Sequence, residues 1–81
     1  MQLTTQFFSQ LREIVGHGEL SVELPEGATV GDLRAQLYRR FPGLEKWDPN
    51  LLVGVGVDFV DRKQVLQPND QVALMPPVQG G

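Results

Sequence analysis

The chain has 81 residues, 41% of them apolar, with 10 acidic against 7 basic side chains and a net charge of −3. That length holds one domain with a small core, and the acidic balance argues against nucleic acid or an anionic membrane as a partner. With no cysteine there is no disulfide, thiol nucleophile or thiolate metal site, and the single His17, set between two glycines, reads as a turn residue rather than a metal ligand.

Gln2–Phe8 is rich in β-formers and partly alternates, which predicts a first strand. Ser9 is placed to cap a helix of about two turns, Leu11, Ile14 and Val15 recur at helical spacing, and Gly16 can end it. Glu19–Leu24 sets Leu20, Val22 and Leu24 against Glu19, Ser21 and Glu23, predicting a half-buried strand antiparallel to the first. Thr29 then caps the main helix, with Asp32 three residues on as an imperfect capping box, since Asp stands where Glu or Gln is usual. Val30, Leu33, Leu37 and Phe41 form its apolar stripe, while Asp32, Arg34, Gln36, Arg39 and Arg40 face elsewhere. Arg39 and Arg40 read as solvated cations complementing the helix dipole.

Pro42-Gly43 stops the helix, and "GLEKWDPN" reads as a polar loop. Leu51–Val57 is apolar on both faces, as in an interior strand, with Gly54 and Gly56 on one face where something comes close to the backbone. A short strand at Phe59-Val60, a crossing segment, a turn at Pro68-Asn69-Asp70 and a last strand over Gln71–Met75 complete the order. One long helix crossing a mixed four- to five-stranded sheet, with one short helix, is a two-layer α+β domain. It is expected over residues 1–76, with 77–81 as an extended tail.

The domain does not read as catalytic. It holds no sensibly spaced Ser–His–acid set and no zinc cluster, and "GVGVDF" lacks the third glycine and following helix of a dinucleotide loop. No bound cofactor or metal is expected. No apolar stretch approaches the ~20 residues that span a bilayer, and "MQLTTQFF" lacks the regions of a signal peptide, so the expected location is cytoplasmic.

Attention therefore moves to "MPPVQGG" at Met75–Gly81. Pro76 and Pro77 fix their own φ and bias the preceding residue toward extended geometry, predicting a stiff rod that leaves the sheet. From Pro77 to Gly81 the chain can reach about 15–18 Å. Gly80 and Gly81 have no Cβ and can enter a slot too narrow for any side chain. Such an end suits enclosure by another protein, with the Gly81 carboxylate as the reactive group.

With "FFSQLREIVG" at the front, Thr-Val-x-x-Leu from Thr29, Leu51-Leu52, and "LQPNDQVALMPPV" before the terminal pair, the chain resembles the MoaD family. These are the sulfur-carrying small subunits of molybdopterin synthase, within the ubiquitin-like MoaD/ThiS superfamily. The resemblance implies a ubiquitin-like β-grasp fold and a mechanism. A ubiquitin-activating-like adenylyltransferase uses ATP to adenylate Gly81, and sulfur replaces an oxygen to give a thiocarboxylate. The tail then enters the large catalytic subunit, in a heterotetramer, where cyclic pyranopterin monophosphate becomes molybdopterin. On this resemblance Gly81 bears the sulfur and Gly80 permits entry. Phe59, Met75, Pro76, Pro77 and Val78 face the partner, and Arg12 matches a charged contact position.

Alternation alone leaves Phe59 and Met75 equally readable as core, and Arg12 reads first as a solvated or locally paired side chain. "GVGVDF" departs from the Asn-Gly-like turn common in the family, and "PND" stands for its Asp-Gly-Asp. The alternatives are a sulfur carrier for thiamine or another thiolation pathway, a modifier joined to lysines, and an inert β-grasp interaction domain.

Overall fold

A computed structural model describes residues 1–77. Its elements are strand β1 (Gln2–Phe7), helix α1 (Gln10–Val15), strand β2 (Glu19–Glu23), helix α2 (Val30–Arg40) and a 3-10 helix (Pro42–Asn50). Strands β3 (Leu52–Val55), β4 (Asp58–Phe59) and β5 (Gln71–Met75) follow. The sheet order is β2-β1-β5-β3-β4. Strands β1 and β5 run parallel and every other neighbouring pair is antiparallel, so the sheet is mixed, as expected. This is the ubiquitin-like β-grasp.

Strand β1 alternates as its sequence does, burying Leu3, Thr5 and Phe7 and leaving Gln2, Thr4 and Gln6 on the other face. The buried face meets Val22, Val53, Val72 and Leu74 from the other strands, and Val30, Leu33 and Leu37 from α2 cover it. Thr29 accepts from the Asp32 amide while the Asp32 carboxylate accepts from the Thr29 amide, closing the predicted capping box. The first amides of α2 are further satisfied from the crossing segment, Val30 N–H by Gln64 and Gly31 N–H by Arg62. That segment thus does for the helix end what water would otherwise do.

Thr5 is the one residue of this inner face whose chemistry is wrong for it. Its side chain is fully buried and its hydroxyl has no hydrogen-bond partner among the described residues. Thr5→Val keeps the shape and removes the unpaired group, so unfolding in urea should show a gain of about 1 kcal/mol.

Several local expectations are corrected. Ser9 precedes α1 but makes no side-chain cap, because the sharp turn out of β1 puts its backbone at φ 51°, ψ −130°. Gly16 does end that helix, at φ 85°. "GLEKWDPN" is no open loop: it is a 3-10 helix whose Leu44 is fully buried. Gly54 and Gly56 do not share a strand face, since β3 ends at Val55 and Gly56 turns at φ 63° toward β4. A Cβ on Gly54 would make only ordinary contacts, so no close approach demands glycine there.

The largest correction is Arg34, assigned to the solvent side of α2 but only 6% exposed. Its Nη2 donates to the Asp48 carboxylate and main-chain carbonyl, both at 2.7 Å, and its Nε donates to the Tyr38 hydroxyl. The 3-10 helix folds back along α2 and covers the face that a bare amphipathic helix would leave wet.

Candidate functional site

Side chains that pair across strands share a face. Leu52 is opposite Met75, while Gly54 is opposite both Ala73 and Phe59. These five residues therefore occupy one half of the sheet face that α2 does not cover. The other half, on β1 and β2, carries Gln2, Thr4 and Gln6 opposite Glu23, Ser21 and Glu19. The uncovered face is thus split into an apolar half beside β5 and a polar, acidic half. Phe59 is 69% exposed, far more than a core phenylalanine, and Met75 is half-buried. The question left open by alternation is answered: both lie on the uncovered side. The Met75 methyl leans over Gly54, whose missing side chain keeps that half shallow.

Pro76 and Pro77 leave the end of β5, both partly exposed. Beside them opens a cleft of about 410 Å³ between Phe8–Gln10, Trp47 and Met75–Pro77. Phe8 is exposed at its rim, and its amide donates to the Leu74 carbonyl, tying the end of β1 to the end of β5. The tail root is therefore held by the centre of the sheet. The expected roles of Val78, Gly80 and Gly81 lie outside the described residues.

Arg12 is exposed in an adjoining recess with Ser9, Gln10 and Glu13. Its guanidinium lies over Gly18, with Nε 3.1 Å from where a Cβ on that glycine would stand. It is exposed and forms no ion pair among the described residues.

The strongest electrostatic cluster lies on the helical side of the molecule. One Asp48 carboxylate oxygen accepts from Arg34 and Tyr38, and the other accepts from Arg62. These bonds, with the Tyr38 hydroxyl foremost, hold the Asp48 carboxyl well below the usual carboxylate range. Burial, helped by the bond to Asp48, pushes the Tyr38 phenol up to about 12. The Arg62 guanidinium is shifted up by the same carboxylate. Both guanidinium groups share the one Asp48 carboxylate, and the cluster reads as a clamp between α2, the 3-10 helix and the segment after β4.

Sequence reasoning missed this clamp and missed Trp47. A signal existed for each. Arg34 and Tyr38 are one helical turn apart on α2, and a lone tryptophan in a supposedly polar loop is a large apolar surface that must pack somewhere. Among the described residues no group of three or more His, Cys, Asp or Glu is placed to hold a metal. None of their helices is long and apolar enough to cross a membrane.

The geometry is thus a smooth apolar half-sheet that runs into a proline-stiffened exit, and among the described residues no ionisable side chain lines the cleft beside it. Comparison with known proteins agrees. The ThiS family model matches residues 5–81. The molybdopterin synthase sulfur carrier subunit of Chlamydomonas reinhardtii is 32% identical, over 100% of both chains. The subunit of the same name in Homo sapiens is 29% identical, covering 99% of this chain and 94% of its own. Among solved structures, SAMP1, a small archaeal modifier protein from Haloferax volcanii, superposes with a TM-score of 0.87 at 27% identity, covering 100% of both chains.

Proposed function

Because the chain belongs to the ThiS family, we propose that it is a sulfur carrier, the small subunit of a molybdopterin synthase. Gly81 carries sulfur as a thiocarboxylate for the conversion of cyclic pyranopterin monophosphate to molybdopterin. The observation that supports this most is the apolar half-sheet of Leu52, Ala73, Met75 and Phe59 running directly into the Pro76-Pro77 exit. One partner can cover that half and receive the tail in a single docking event.

The chemistry explains why the domain needs no catalytic side chains. A carboxylate is a poor electrophile. An adenylyltransferase joins the Gly81 carboxylate to the α-phosphate of ATP and releases pyrophosphate, which turns one oxygen into part of a leaving group. A hydrosulfide equivalent from a sulfur donor attacks the acyl carbon, the C–O bond to AMP breaks, and the thiocarboxylate remains. In the pocket of the large subunit its soft sulfur then attacks the pterin precursor to give a thioester, and water cleaves the acyl C–S bond, leaving sulfur on the pterin and returning the Gly81 carboxylate. The work of this chain is to present the terminus, and the cytoplasm, where ATP and activating enzyme are at hand, is the proposed location.

Incubation of the full chain with the activating enzyme, ATP and a sulfur donor tests this reading. Intact mass should show one oxygen replaced by sulfur on the C-terminal peptide, and a chain that stays unmodified overturns it. The likeness to a small archaeal modifier protein favours a second reading, in which the activated Gly81 forms isopeptide bonds with lysines. Lysine-linked adducts in lysates of the native cells, without the sulfur mass, would select that reading.

Docking on the half-sheet makes its own prediction. Phe59→Asp puts a charge on an apolar patch, and should weaken binding to the large subunit at least about tenfold. With its side chain 69% exposed, Phe59 contributes little to the core, and the melting temperature should barely move.

A further inference from the structure

The sulfur-carrier reading leaves Trp47 without a task, yet the residue stands where the tail departs. It is the only tryptophan of the chain, carried on the 3-10 helix and packed partly buried against the core. It walls the cleft formed by Phe8–Gln10 and Met75–Pro77. A second recess of about 320 Å³ is lined by Lys46, Trp47, Asn50 and Pro77. Trp47 and Pro77 are common to both hollows, so together they form the ridge between them.

Two further facts mark this as a built feature. The indole Nε1 is buried without an acceptor among the described residues, a cost that phenylalanine or leucine would avoid. The next residue, Asp48, is held from three directions by Arg34, Tyr38 and Arg62. The backbone that carries the indole is thereby anchored to α2 and to the segment after β4.

A proline pair also needs such a wall. Each proline fixes its own φ and Pro77 holds Pro76 extended, but the ψ of Pro77 stays free, so Pro76-Pro77 is stiff along its length and soft in the direction it hands on. A flat aromatic surface fixed against the second ring removes that freedom. We propose that Trp47 is a positioning residue for the tail: it backs Pro77 and sets the direction in which the chain leaves the sheet at that residue. The role rests on the sulfur-carrier reading, and it acts by lowering the ordering cost of entering a partner's slot. Such a residue should affect KM, because the bound tail reacts as before.

The first arm of the test needs no activity. In the full chain, Pro77→Gly should shift Trp47 emission to the red and increase its quenching by acrylamide. The second arm measures sulfur loading by the activating enzyme with ATP and a sulfur donor. Trp47→Ala should raise KM for the carrier about tenfold with kcat near the unaltered value, and Trp47→Phe should restore most of the loss. A melt of each variant separates this from unfolding. If Trp47→Ala does not fold, Trp47→Leu, which keeps apolar bulk without the flat ring, takes its place and should show the same rise in KM. Unchanged emission in Pro77→Gly overturns the proposal, and so does normal KM in a folded Trp47→Ala or Trp47→Leu chain. A failure of the parent reading looks different: the unaltered chain takes up no sulfur at all, and the positioning role falls with it.

Discussion

Adding one residue after Gly81, or deleting Gly81, is expected to abolish sulfur loading while the protein melts as the unaltered chain does. On the proposed function the reaction takes place at a backbone terminus, so its geometry is counted in residues. One residue more or less moves the carboxylate by about 3.5 Å along an extended chain. A displacement of 1 Å at a reacting centre can cost about a hundredfold, so a shift of this size leaves nothing measurable. Stability should be untouched, because the pairing of β5 ends at Met75 and every core side chain lies before it. Gly80→Val separates length from width. It keeps the carboxylate at the same distance but adds a branched side chain where the slot admits none, and loading should fall with it. Intact mass and a thermal melt, run on the same samples, read both halves of the prediction. An extended chain that still accepts sulfur without being trimmed sinks the mechanism.

What could be read from the sequence depended on whether a residue acts through its own strand or helix or through a distant one. The capping box at Thr29 and Asp32, the alternation of β1 and the αL end at Gly16 are local, and each stands as its residues suggest. The stiffening at Pro76 and Pro77 was read from backbone constraints of the same local kind, while the terminal glycines lie outside the described residues. Arg34 was misplaced because its burial depends on Asp48, fourteen residues on, folding back over α2. No period in α2 records that return. Phe59 and Met75 were legible as candidates but not as residues of the uncovered face, since a strand's alternation marks two faces and only the packing of α2 decides which is covered. Trp47 was invisible as a functional candidate. Its meaning comes from lying beside Pro77, thirty positions away, across the end of the sheet.

Asp48→Ala should be the most destabilising single substitution on the polar side of the molecule, costing about 3 kcal/mol. For a domain of this size that lowers the melting temperature by roughly 12–24 °C. The reason is what remains: the Arg34 guanidinium, 6% exposed, would be left without its carboxylate. Arg62→Ala removes the other cation of the same cluster, but Arg62 is 53% exposed and solvent screens it, so the loss should stay below about 1 kcal/mol. The contrast between the two variants tests whether burial, not ion pairing as such, gives the clamp its strength.

The pH dependence supplies the sign. The folded Asp48 carboxyl is depressed, so its contribution is present above the unfolded value of about 4 and is lost as pH falls further toward the folded one. Below pH 4 the unfolded chain binds a proton that the folded chain refuses. Tyr38 behaves oppositely. Raised to about 12, it favours the folded state below about pH 10, and that contribution is lost as pH rises from there through 12. Asp48→Ala should therefore flatten the acid limb of a melting-temperature profile, and Tyr38→Phe the alkaline limb. If Asp48→Ala keeps the acid limb and loses less than about 1 kcal/mol, the cluster is not a clamp. Trp47 emission recorded in the same melts carries the argument to the tail: once its neighbour is released, the indole should lose its fixed surroundings well below the temperature at which the sheet unfolds.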